Sequence, residues 1–206
     1  RENKPLTFEE ALSKVKDHAE LSALRFYLGD FFRDISNGNL STEYNNNYRA
    51  LIRYIKNSRA KGADIVTFNY DTLFERQLSG WPFLEISRYI NSSEPIRIFK
   101  LHGSADWFYI HKKEGSDEMR GIKGAYDYLR THPEFSGETF HTAFMLQETA
   151  EGNNFYHIPA LALPITGTKA FVMPNDHLLL LKSVLSNVSR ILIIGWKAGD
   201  KHFLDL

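Results

Sequence analysis

The chain contains no cysteine. That excludes disulfides, thiolate zinc sites and a cysteine nucleophile. An excess of charge of either sign is also missing: 25 basic side chains stand against 25 acidic ones, and no long single-sign run occurs. Nucleic-acid binding usually needs a basic stripe, and none is visible. Long hydrophobic runs are lacking too. The most apolar stretches, 158–165 and 191–196, are far too short to span a bilayer. Residues 1–6 carry no signal-peptide pattern, so the default expectation is a cytoplasmic protein. Neither a Walker loop nor a Gly-x-Gly-x-x-Gly occurs, and there is no internal repeat or low-complexity tract. His18, His111, His132, His141, His157, His177 and His202 form no pair at metal-ligand spacing with a carboxylate partner, so no metal is expected.

What remains is 206 residues, 43% hydrophobic and 24% charged, enough for one globular domain of ordinary size or one domain with an inserted lobe. Thr7-Phe8-Glu9-Glu10 reads as a capping box, followed by apolar residues at helical spacing to the stop signal Asn37-Gly38. Tyr44, Tyr48, Leu51, Ile52 and Ile55 form one face of a second helix. Strands are expected at 64–68, 85–90, 96–101, 158–163 and 190–195, and helices at 71–78, 124–130, 139–148 and 176–187. Ile191-Leu192-Ile193-Ile194 is apolar at every position, which suits a strand buried on both faces of a parallel sheet. Residues 109–155 lack a clean period and read as an inserted lobe. The chain opens on helices and ends in the first turns of another, as a piece of a longer protein would.

Two polar clusters carry the chemistry. Thr67-Phe68-Asn69-Tyr70-Asp71 follows the strand at 64–68, and Leu101-His102-Gly103-Ser104-Ala105-Asp106-Trp107 follows the strand at 96–101. In open α/β sheets, ligands bind just outside the carboxyl ends of strands, so these clusters are expected to face one ligand. Asn69 reads either as a turn residue capping the next helix or as an amide that both donates and accepts at a ligand. His102 reads either as a structural histidine before a glycine or as a positioned general base. Asp71 reads either as a residue that holds a loop or as a partner of a ribose hydroxyl. Thr67 is either sheet filler or a ligand contact, and Gly103 lets the backbone turn sharply or a ligand approach closely. Trp107 reads as core packing.

In order and spacing, Thr67, Asn69, Tyr70, Asp71 and Glu75, then Leu101, His102, Gly103, Ser104 and Trp107, then Pro164 and Lys169, and finally Gly195 with Asp200, resemble the sirtuin-like NAD hydrolases of bacterial anti-phage defence proteins. Two features of that family differ: an opening strand ending in Gly-Ala-Gly is absent from this chain, and Gly195-Trp196-Lys197 stands in place of Gly-Tyr-Ser. The resemblance implies an α/β fold with a Rossmann-like, mostly parallel sheet flanked by helices. It divides the single domain into a helical segment (1–62), a Rossmann-like core (63–108 and 156–206) and the inserted lobe (109–155). It implies hydrolysis of NAD to nicotinamide and ADP-ribose, with Asn69 and His102 catalytic and NAD as substrate. Thr67, Asp71, Gly103, Ser104, Lys169, Gly195 and Asp200 would bind the nucleotide. For Lys169 a solvated loop lysine is the competing reading, and for Asp200 a helix N-cap. The family further implies a homo-oligomer, a regulatory domain or partner sensing phage, and toxic NAD depletion as output. Zinc-dependent deacetylation is disfavoured, because the zinc module of those sirtuins needs four cysteines. The alternative is a degenerate module that binds a nucleotide or a protein without chemistry.

Overall fold

The computed structural model describes residues 8–38, 47–58, 62–79, 81–83, 85–91, 95–112, 121–132, 135, 137, 139–143, 155–163, 171–195 and 200–206. Helices come first: α1 (Phe8–Leu12), α2 (His18–Gly38) and α3 (Asn47–Asn57). Thr7 of the expected capping box lies outside the described residues. At the start of α2, Asp17 accepts from the backbone N–H of Ala19 at 2.8 Å. That bond satisfies a donor that the first turn otherwise leaves free. α2 ends at Gly38, where the sequence signals its stop.

Strand β1 (Ala63–Thr67) pairs in parallel with β2 (Ile96–Lys100), in register from Ala63↔Ile96 to Thr67↔Lys100. Three residues later β3 (Gly103–Lys112) begins and forms a separate antiparallel sheet, in the order β4 (Phe140–Thr142), β3, β5 (Phe155–Leu161). Helix α4 (Gly121–Thr131) and helix α2 pack on that sheet. Helix α5 (Asn175–Leu185) packs on β2, and α6 (Lys201–Leu204) closes the chain. The fold is therefore mixed α/β.

The core lies where the two sheets meet. Ile96, Ile98 and Phe99 of β2, Leu101 just after it, Trp107 of β3 and Ile158 and Leu161 of β5 are all buried. Each such side chain contributes about 1.5–3 kcal/mol by leaving water. Tyr89 stands edge-on to Trp107, with ring centroids 5.0 Å apart, and His177 of α5 packs against the same indole. Burial lowers the pKa of His177, which fits a neutral packing histidine.

Several expectations are corrected. The sheet is not mostly parallel: among the described residues only β1 and β2 run parallel, and the larger sheet is antiparallel. Its strands meet through β3, which leaves the 101–102 bend as a strand and runs through residues 108 and 109. The apolar run 191–194 forms no strand. Its side chains are 58–76% exposed, because no described strand pairs with it. Residues 86–89 form a 3-10 turn rather than a strand, and the expected helix at 71–78 is reduced to a 3-10 turn at Glu75–Gln77. Both segments are short, and tertiary contacts of Tyr89 and Glu75 with the core outweigh local propensity. Residues 140–142 are strand β4 rather than helix, since β3 offers them a free edge.

Candidate functional site

The pairing of Thr67 with Lys100 aligns the ends of the two parallel strands. Asn69 and His102 each follow two residues later, so both leave the same carboxyl edge. Backbone bonds lace the two exits together. Leu101 donates to the Thr67 carbonyl at 3.2 Å, Ala105 to that of Tyr70 at 2.8 Å, and Ala162 to that of His102 at 2.9 Å. Gly103 makes the bend possible. Its φ is +81°, and a Cβ there would run into the carbonyl oxygen of Ala160. Only glycine combines that dihedral with so close an approach.

The imidazole of His102 sits beside both neighbours of Asn69. Its ring centroid is 5.2 Å from that of Phe68 and 6.4 Å from that of Tyr70. Its Nε2 lies 2.8 Å from Oδ2 of Asp200. The other carboxylate oxygen of Asp200 accepts from the Phe203 N–H at 2.9 Å and caps α6. Phe203 in turn packs edge-on against Phe68 at 5.6 Å. Asp200 is thus both the expected N-cap and a partner of His102. The two side chains are 26% and 15% exposed, so the pair is sheltered yet reachable from solvent. With a carboxylate accepting from Nε2–H, the lone pair of a neutral imidazole stands on Nδ1, ready to take a proton.

Asn69 is exposed, and its side chain lies beside the Tyr48 hydroxyl of α3. Burial, followed by the charges of Asp71 and Glu75, raises the pKa of that phenol. No hydrogen bond joins Asn69 to His102 among the described residues. The shared edge therefore presents an amide toward α3 and an imidazole toward α6. Thr67 uses its hydroxyl locally, accepting from the Asn69 N–H at 3.1 Å, and Asp71 accepts from the Leu73 N–H at 3.1 Å. These two bonds shape the loop that carries Asn69. Tyr70 fastens it from below by donating to the Ala162 carbonyl at 2.6 Å, and burial pushes its phenol up to about 12.

The remaining candidates divide. Thr67, Asp71, Gly103 and Asp200 gather with Asn69 and His102 at the strand ends. Ser104 is fully buried, its hydroxyl accepting from the Asp106 N–H at 3.4 Å. Gly195 has φ +68° and nothing near the place of a Cβ, at the end of the exposed 191–194 run. Lys169 lies outside the described residues.

One central residue escaped the sequence reading. Lys100 is completely buried, and its Nζ donates to the Asp71 carbonyl and to Oε1 of Glu75, the latter at 2.7 Å and also buried. This clamp ties the end of β2 to the loop that carries Asn69. The signal was present: Ile96, Ile98 and Lys100 alternate onto one strand face, and a lysine on an inward face demands a buried counter-charge. Tyr48 was assigned only to a helix face, since nothing in its spacing reveals the amide it meets.

Compared with protein-family models, with curated proteins and with solved structures, the chain matches none. Among the described residues, no cluster of three histidine or acidic side chains could hold a metal ion, and no helix is long and apolar enough to cross a membrane.

Proposed function

We propose that this domain hydrolyses the nicotinamide–ribose bond of NAD, releasing nicotinamide and ADP-ribose. The observation that carries the reading is the convergence of two strand ends in register, one bearing Asn69 and the other His102 with Asp200 as its partner. Cleavage of an N-glycosidic bond passes through an oxocarbenium-like transition state, as in other glycosyl transfers. Water bonds to C1′ of the ribose as the bond to nicotinamide breaks. The bonding electron pair leaves with the now neutral nicotinamide, and the water's proton passes to Nδ1 of His102. Asn69 holds the ribose hydroxyls and orients the water. Asp200 is a positioning residue: it fixes the ring of His102 and stabilises the imidazolium formed. Asp71, Thr67 and Gly103 shape the ribose side, and Lys169, Gly195 and Ser104 belong to the nucleotide-binding set on the resemblance alone. In this reading β1 and β2 are the parallel core of a Rossmann-like fold. The protein is then a cytoplasmic, homo-oligomeric effector of anti-phage defence, held in check by a regulatory domain or partner.

The test is nicotinamide release from NAD by the purified protein. Asn69→Ala and His102→Ala are each expected to lower kcat by about a hundred- to ten-thousand-fold, the usual worth of a positioned base or orienting group. Asp200→Asn should lower kcat and shift its pH profile while leaving KM nearly unchanged. NAD cleavage that survives both Asn69→Ala and His102→Ala would sink the proposal. Tight ADP-ribose binding without any cleavage would replace it with a nucleotide-binding module.

A further inference from the structure

A second polar site lies away from the histidine–aspartate pair. Between α2, the turn after Asp71 and the start of β3 is a hollow of about 240 Å³, bordered by Arg33, Ser36, Thr72, Arg76, Trp81 and Asp106. It shares no lining residue with Asn69, His102 or Asp200.

Both arginines are held in place by the protein and retain unused donors. Arg33 donates through Nε and Nη2 to the Ala105 carbonyl, at 3.3 and 3.1 Å, and through Nη1 to Asp30 at 2.8 Å. Arg76 donates through Nε to the Thr72 hydroxyl at 3.3 Å and through Nη2 to the Asn37 side-chain carbonyl at 2.6 Å, with its guanidinium 5.8 Å from the Trp81 ring centre. A guanidinium carries five N–H donors. Among the described residues, these bonds engage three on Arg33 and two on Arg76, which leaves two and three. Among the described residues, the hydrogen-bond partners of Arg76 are neutral. The planar fork of an arginine matches phosphate and carboxylate oxygens, and a fork whose rotamer is already fixed loses little entropy on binding them.

We infer that this hollow binds a phosphate group, with Arg33 and Arg76 as its counter-charges, Thr72 and Ser36 on its rim and Trp81 as a flat wall for whatever carries the phosphate. Asp106 then acts as a proton-dependent gate. Burial and the charge of Glu75 push its carboxyl up to about 7, against the opposing pull of Lys100, Arg33 and Arg76. Glu75 is itself held by Lys100 in a buried ion pair, and Arg33 and Arg76 are the positive groups that line the hollow. Protonated, Asp106 adds no charge and can donate to a phosphate oxygen. Ionised, it repels the ligand.

Calorimetric titration of the whole chain tests this, with sulfate as a probe whose charge stays constant at pH values on either side of 7. Sulfate is expected to bind saturably below pH 7 and about tenfold more weakly above it, where Asp106 carries charge. Arg76→Gln should weaken sulfate by about tenfold or more, and Asp106→Asn should abolish the pH dependence while keeping the affinity of the low-pH form. Should Arg76→Gln fail to fold, Arg76→Lys keeps a charge without the fork and is expected to weaken sulfate several-fold. Inorganic phosphate and phenyl phosphate then identify the source. Tighter phenyl phosphate means a phosphate carried on an organic group against Trp81, and equal affinities mean free phosphate. Absence of saturable sulfate binding below pH 7 overturns the inference, as does an affinity that the arginine substitutions leave unchanged.

Discussion

Lys100→Met is the perturbation that bears most directly on how the candidate site is held. Lys100 and Glu75 are 0% and 1% exposed and meet at 2.7 Å, and the same ammonium donates to the Asp71 carbonyl. Methionine fills nearly the same volume but leaves the Glu75 carboxylate buried without its counter-charge. Removing one partner of such a pair costs about 3–5 kcal/mol, whereas replacing both by apolar groups is often neutral. For a domain of this length, 1 kcal/mol moves the melting temperature by about 2–4 °C, so Lys100→Met should melt roughly 6–20 °C lower. Lys100→Met combined with Glu75→Leu should recover most of that loss, less about 1–3 kcal/mol for the Asp71 carbonyl left without its donor. Urea unfolding of the wild type, both single variants and the double variant closes the cycle. The reasoning fails if Lys100→Met alone costs under about 1 kcal/mol, or if the double variant loses the sum of the two singles. Since this clamp holds the Asn69 loop, NAD cleavage by any folded Lys100→Met should also fall.

Other outcomes follow from single residues. Asp106 carries a folded-state pKa of about 7 against an ordinary 3.8, so the folded protein binds the extra proton between those values. Stability should therefore fall as pH rises from about 4 to about 7. Asp106→Asn should exceed the wild type above pH 7 by up to about 4 kcal/mol and equal it below about pH 4, as read from urea midpoints across that range. Gly103→Ala combines a positive φ with collision against the Ala160 carbonyl and should cost more than about 2 kcal/mol in the same assay. Leu192→Ser, at a side chain 76% exposed, should change stability by less than about 0.5 kcal/mol. A loss of several kcal/mol there would mean that 191–194 is core after all.

Four of the helices were legible because their information is local, whereas the run expected to reach Gly38 without a break is interrupted at residues 13–17 and the one expected at 71–78 shrinks to a 3-10 turn. Spacing at 3.6 residues and the Asn37-Gly38 stop specify α2 wherever it packs, and the same holds for α3, α4 and α5. The strands β1, β2 and β5 were legible as apolar runs, and the two polar clusters as the residues that follow them. What an apolar run pairs with is not local. Nothing in residues 103–112 says that the chain turns at His102 into an antiparallel sheet, and four apolar residues at 191–194 make a strand only when a neighbouring strand supplies hydrogen bonds. Residues 86–89 and 140–142 were misread for the same reason, since short segments take the geometry their contacts impose.

The candidate site divides along the same line. Residue type and position after a strand singled out Asn69 and His102 by themselves. Asp200 was visible as an N-cap, but its second bond, to a histidine 98 residues earlier, exists only because α6 folds back against Phe68. The Lys100–Glu75 clamp and the arginine-lined hollow beside Asp106 likewise join segments far apart in the chain. Local propensity and periodicity are properties of neighbours along the backbone, whereas burial, counter-charge and shifted titration belong to neighbours in space, which the tertiary fold alone assigns.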